Sequence, residues 1–341
     1  MNKEQLLKLY SEGRRNFENQ TLRNDGNVVN YNPYQVMGSV YEGMDLSGAN
    51  LQNIILTRSH FKGTLEGANL ENSDLTHAIF NAVNLKDALL TESRMIGVNL
   101  SWSNLSGAKL ISVCLIGADL EQANLEGATI DFTDLSGANL ENVNLSKSSL
   151  RNVKLAGCNL SLSKLNETVL NSADLTGCVL HFNQMIGATL FYANLTGANI
   201  KYGELMNCNF TGAFLTGAGV EESDLSGSIL MNADLTGASF YKTKLNNFNA
   251  SMSNFDYAIM KEVEIINSIF KNSKFKESNF NSAKIEDSDF SNSSFLNASF
   301  VNANLRNVNF ENADLTNADF TNANLENVNF ENAILEGVKG L

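Results

Sequence analysis

The chain has 341 residues, and 37 Asp and Glu outnumber 24 Lys and Arg, leaving a formal charge of −13. Phosphate contacts need clustered cations to displace counterions, so this balance argues against direct nucleic-acid binding and points to basic or polar protein partners. A single proline, Pro33, and the absence of any apolar run long enough to span a membrane set it apart from disordered linkers and helical membrane proteins.

From the amino end, Met1 to Tyr10 scatters charges among apolar residues and offers no h-region, so no signal peptide is read and a cytoplasmic location is expected. Residues 2 to 13 bring Leu6, Leu7, Leu9 and Tyr10 towards one helix face, with Gly13 as a stop. The expected element is a short amphipathic helix that caps a hydrophobic end of the repeating region of the chain. Between Leu22 and Val36 no regular spacing holds, which predicts an irregular cap connection through Pro33.

Val36, Tyr41, Leu46, Leu51, Leu56 and Phe61 then recur every five residues. Phe61 and Leu65 are only four apart, so one residue is missing at that corner. From Leu65 to Leu335 every fifth residue is Leu, Ile, Met, Phe or Val, with Ala250 alone excepted. Two places before each of these centres stands a small residue or Val, except at Asn183 and Phe248. Neither the helical period of 3.6 nor the strand period of 2 generates this pattern; a turn within every unit does.

Runs such as Ala118-Asp119-Leu120-Glu121-Gln122 and Ala138-Asn139-Leu140-Glu141-Asn142 resemble the A-(D/N)-L-x-x signature of the pentapeptide-repeat family. The resemblance implies an all-β fold, a right-handed quadrilateral β-helix with four pentapeptides per coil. The centre and the small residue two before it would point inward, and the other three positions outward. The leader from Leu6 to Phe17 is also similar to leaders of bacterial, especially cyanobacterial, members. The division expected is 1–35 helix and irregular cap, 36–337 β-helix and 338–341 tail. About 15 coils at the ~4.8 Å strand spacing would give a rod of roughly 70 Å.

Gly107, Gly117, Gly127 and Gly137, and later Asn292, Asn297 and Asn302, stand two after the centre, where a tight turn takes positive φ. Phe248 and Ala250 trade large and small, conserving core volume. Beyond Leu235 the centres become mostly Phe, which predicts stacked aromatic ladders in the core with no cofactor role.

Catalytic chemistry is missing. The four cysteines form no CxxC pair, and Cys158, Cys178 and Cys208 fill the small inward slot; Cys158 and Cys178, twenty apart, should stack on adjacent coils near enough for a disulfide in principle, and the expected cytoplasmic setting favours free thiols. His60, His77 and His181 are too dispersed for a metal or acid-base set and read as solvated surface residues. Each Gly belongs to the repeat, so no phosphate loop is present. Neither enzyme activity, cofactor nor metal is expected. Glu286, Arg306 and Glu326 should form a charge ladder on successive coils.

A binding site on such a scaffold should show as large apolar residues in outward slots. Trp102, Leu162, Phe182 and Tyr202 share one slot at multiples of twenty, and Ile186, Phe191, Tyr192 and Met206 lie on neighbouring faces. They make the candidate partner-binding belt of a non-catalytic interaction scaffold. The alternative is an acidic mimic of duplex DNA that binds DNA gyrase and protects against quinolones, as some members of the resembled family do. Lys242, Lys244, Lys261, Lys271, Lys274, Lys276 and Lys284 interrupt its acidic surface, and the dimerising helix of those relatives has no counterpart in Gly337 to Leu341. The coil at Phe330 and Leu335 is barely covered, so pairing of two chains through it is a further expectation.

Overall fold

A fixed period of five requires a corner in every repeat, and the computed structural model, which describes residues 3–18 and 40–341, shows how it is made. In one repeat the Ala68 N–H donates to the Leu65 carbonyl at 3.0 Å, and Gly67 between them has φ 63°. Positive φ at the third of four residues is the type II turn, which Gly and Asn enter most easily. The Asp or Asn before each centre has its own task. Asp234 Oδ1 accepts the Thr236 N–H at 3.1 Å and Asn124 Oδ1 that of Glu126 at 3.1 Å, an Asx turn that shapes the approach to the corner. Four such repeats bring the chain back above itself. Asn104 bridges Asn124 in parallel, and Asn124 bridges Asn144.

The chain divides into two units, Met1–Val169 and Leu170–Leu341, each an all-β quadrilateral β-helix. The first unit opens with helix α1 (Lys3–Ser11). Gly13 at φ 92°, with Gly13 N–H to Tyr10 O and Arg14 N–H to Leu9 O, closes α1 in a Schellman motif. Leu6 and Phe17 are buried, the Tyr10 hydroxyl donates to Ser47 O at 3.1 Å, and Phe17 N–H donates to Asn50 O at 2.7 Å. The helix and the residues after it thus cap the described end of the coil. Val36 and the irregular segment 23–35 lie outside the described residues.

Strands β1 (Val40–Asp45) and β2 (His60–Thr64) pair in parallel, with a bulge between Glu42 and Met44. The four-residue step from Phe61 to Leu65 sits here. A Cβ on Gly63 would overlap the Met44 carbonyl, so only glycine allows the two strands to approach this closely. The coil below is one residue shorter than those above: Asn50 bridges Asn69, whereas Asn84 bridges Asn104.

In the second unit β3 (Glu264–Ile266), β4 (Lys284–Glu286), β5 (Asn304–Arg306) and β6 (Asn324–Glu326) form a parallel sheet in that order. Its core is the expected aromatic ladder: Phe270 stacks on Phe290, Phe275 on Phe295 and Phe300 on Phe320, each with ring centroids 4.7 Å apart. Phe248 and Ala250 are both fully buried, as their exchange requires, and Phe248 packs against Phe270.

Inward serines are more than small fillers. Ser273 Oγ donates to the Ala250 carbonyl at 2.9 Å and accepts the Ser253 N–H at 3.2 Å, so it enters the turn of the coil below and satisfies both of its ends. Ser268 does the same for Leu245 and Phe248. Cys208 Sγ and Cys158 Sγ reach the equivalent carbonyls, of Met185 and Leu135. Burial pushes the Cys208 thiol up to about 12, and all four cysteines are free.

Candidate functional site

Every corner holds its outward side chain at positive φ, where a side chain larger than Gly strains the backbone by roughly 1–2 kcal/mol. Several corners nevertheless carry large apolar groups. In the first unit Trp102 (φ 63°) and Leu162 (φ 61°) are exposed, Trp102 to 62%. In the second, Phe182 (φ 54°), Tyr192 (φ 56°) and Tyr202 (φ 59°) are 56%, 66% and 44% exposed. Phe182 and Tyr202 stack, with centroids 4.8 Å apart and planes 11° from parallel. Ile186, Phe191 and Met206 are half-buried.

The second-unit residues do not make one belt. Phe191 and Tyr192 sit nine and ten residues from Phe182 in a twenty-residue coil, which puts them at the corner diagonally opposite. The Tyr192 ring lies over Gly212, filling the room that a side chain there would need. Tyr202 and Met206 flank a single face and line one groove of about 310 Å³ with Glu204, Glu222 and Asp224. Lys242 and Lys244 close its far end.

The groove floor includes buried Gly203, whose N–H donates to Ser223 Oγ at 2.9 Å while that hydroxyl donates to Ile200 O at 2.7 Å. Behind it lies Asn183, 1% exposed, with neither amide atom hydrogen-bonded. A Cβ on Gly203 would stand 2.7 Å from Asn183 Oδ1, so the glycine makes room for the oversized inward residue one coil before it. Burial also corrects the histidine reading. His60 and His181 are half-buried with Nε2 shielded and unpaired, and of the three only His77 is exposed.

Charges interleave on the second unit. Lys242 and Lys261 reach Glu262 at 3.8 and 3.6 Å, Lys271 reaches Asp289 at 2.9 Å, and Lys284 reaches Glu264 at 3.7 Å. Of the predicted ladder, Arg306 binds Glu286 at 2.7 Å, and this hydrogen bond holds the Glu286 carboxyl below its usual range. Phe330 is half-buried and Leu335 41% exposed in the last coil.

Exposed Phe132, Met252 and Tyr257 were also legible, since they occupy the slot two after the centre, as Trp102 does. Exposed Phe214, one before its centre, breaks the Asp/Asn pattern and was signalled by that break. Among the described residues no cluster of His, Cys, Asp and Glu could hold a metal ion, and no helix is long and apolar enough to cross a membrane.

None of the curated proteins matches the chain. Among solved structures it is similar to HetL, a pentapeptide repeat protein involved in heterocyst differentiation regulation from the cyanobacterium Nostoc, at 23% identity over 99% of this chain and 96% of that one, TM-score 0.24. It is similar to Rfr23 from the cyanobacterium Cyanothece at 32% identity over 28% of this chain and 62% of that one, TM-score 0.26. A trypsin-treated form of QnrB1, a plasmid-mediated fluoroquinolone resistance protein, matches at 19% identity over 57% of this chain and 91% of that one, TM-score 0.39. The family model for pentapeptide repeats matches eight stretches between residues 45 and 272, and that for a pentapeptide repeat region matches 263–339. The repeat that shapes every corner of both units is therefore the family's own, and the chain belongs to the pentapeptide-repeat proteins.

Proposed function

We propose that the protein is a non-catalytic scaffold that binds a partner protein through the face bounded by Phe182, Tyr202 and Met206. The observation that carries this reading is the exposed Phe182–Tyr202 stack, two aromatic rings held outward at backbone positions that favour Gly or Asn. Strained residues that the fold does not need are drawn to functional surfaces. Exposed aromatic anchors are also the side chains that dominate binding energy at protein interfaces.

The charge of −13 favours a second reading, an acidic mimic of duplex DNA that binds gyrase. It is the weaker one. Asp74, Asp119, Asp174, Asp234, Asp314 and Asp319 are engaged in the Asx turns of the repeat, and lysines neutralise the acids beside them on the second unit. Photo-crosslinking tests the first reading. A benzoylphenylalanine at position 202 should yield a discrete adduct in lysate that the same probe at Asn302, in the same slot five coils on, does not. Equal labelling from both positions, or none from 202, would remove the face from consideration.

A further inference from the structure

The groove beside Tyr202 has a charge arrangement that selects its occupant. Phe182 covers one face of the Tyr202 ring, and the other is turned towards the next coil, where Glu222 holds the same slot. Glu204, Glu222 and Asp224 line the groove, and none of them takes part in an ion pair among the described residues. Asp224 spends one oxygen on the Ser226 N–H at 2.9 Å and keeps the other. The lysines at the far end are differently placed. Lys242 pairs with Glu262 at 3.8 Å, lies 5.0 Å over the Tyr241 ring and also feels the charge of Glu222, while Lys244 is the backbone bridge partner of Asp224.

We propose that this groove takes a guanidinium or ammonium group from a basic segment of the partner protein, stacked on Tyr202 and paired with Glu222 and Asp224. The proposal rests on the scaffold reading of the same face. An uncharged apolar segment docked here would strip water from these carboxylates and return nothing to them. An acidic segment would be repelled at the aromatic end. A cation satisfies both the ring face and the carboxylates, and arginine does so best because its planar group stacks and binds bidentately.

Calorimetry with the whole chain and an unlabelled Gly-Arg-Trp-Arg-Gly peptide tests it, with the citrulline peptide as a neutral counterpart of the same shape. Saturable binding of the arginine peptide is expected, weakened at least about tenfold by citrulline, by the double variant Glu222→Gln/Asp224→Asn, and by high salt. Asn at 224 keeps the turn bond to Ser226, and an unchanged melting temperature confirms that the variant is folded. Equal binding of the citrulline peptide, insensitivity to the double variant, or no saturation up to millimolar peptide would each overturn the proposal. If the crosslink at position 202 persists in any of those cases, the scaffold reading stands and only the cationic partner falls; loss of both removes both.

Discussion

Trp102 shows what the repeat asks of one residue. It sits at φ 63° with its indole in solvent, at the turn position that in other repeats Gly107 and Asn312 fill at similar φ without a bulky side chain. Asn enters the left-handed region readily and, unlike Gly, adds little freedom to the unfolded chain. Replacing Trp102 by Asn should therefore raise stability by about 1 kcal/mol. A thermal melt reads this directly; a lower melting temperature would mean that the indole makes a stabilising contact. Asn183 marks the limit of sequence reading at this scale. Its exception to the small-residue rule is visible in the sequence, but its compensation by Gly203 is not, because Gly obeys the rule and looks ordinary until the two residues are seen stacked.

Along a column of coils, residues that fill equivalent slots differ widely in consequence. Phe295 is fully buried and stacked on Phe275, so Phe295→Ala removes a rung of the ladder and should cost about 3–5 kcal/mol. Ser273→Ala, in an equally buried slot, should change stability by less than about 1 kcal/mol, because the Ser253 N–H and Ala250 carbonyl that the hydroxyl bridged can bond to each other. That direct bond already closes the turn from Leu65 to Ala68. Paired urea melts check the contrast, and equal losses would show that the hydroxyl is irreplaceable. The ladder was legible from the Phe centres alone. The hydroxyl insertion was not, since Ser and Ala satisfy the period of five equally well. The grouping of Tyr192 with Phe182 likewise failed at this scale, because proximity in sequence hid the half-coil that separates their corners.

For the molecule as a whole, the acids of the repeat make stability depend on pH. Asp319 is held below its ordinary value by the Thr321 hydroxyl first and the Thr321 N–H second, and Asp45 by the Ser47 N–H first. A carboxylate with a depressed folded pKa contributes stability that is present above its unfolded value, near 3.8, and is lost as pH falls through the lower folded one. The melting temperature should therefore fall progressively below about pH 4, and less steeply in Asp319→Asn. An identical acid slope in that variant would show that the turn bond does not carry the effect.

The central claim is that inward slots build the fold while the outward face at Tyr202 binds the partner. Both halves meet in a single measurement: partner capture from lysate by the wild type and by Phe182→Ser/Tyr202→Ser, each with its thermal melt recorded. The account predicts that the double variant loses the captured protein while its melting temperature changes little, since both side chains are exposed and lie outside the core. Capture undiminished by the double variant, or lost only together with the fold, would contradict it.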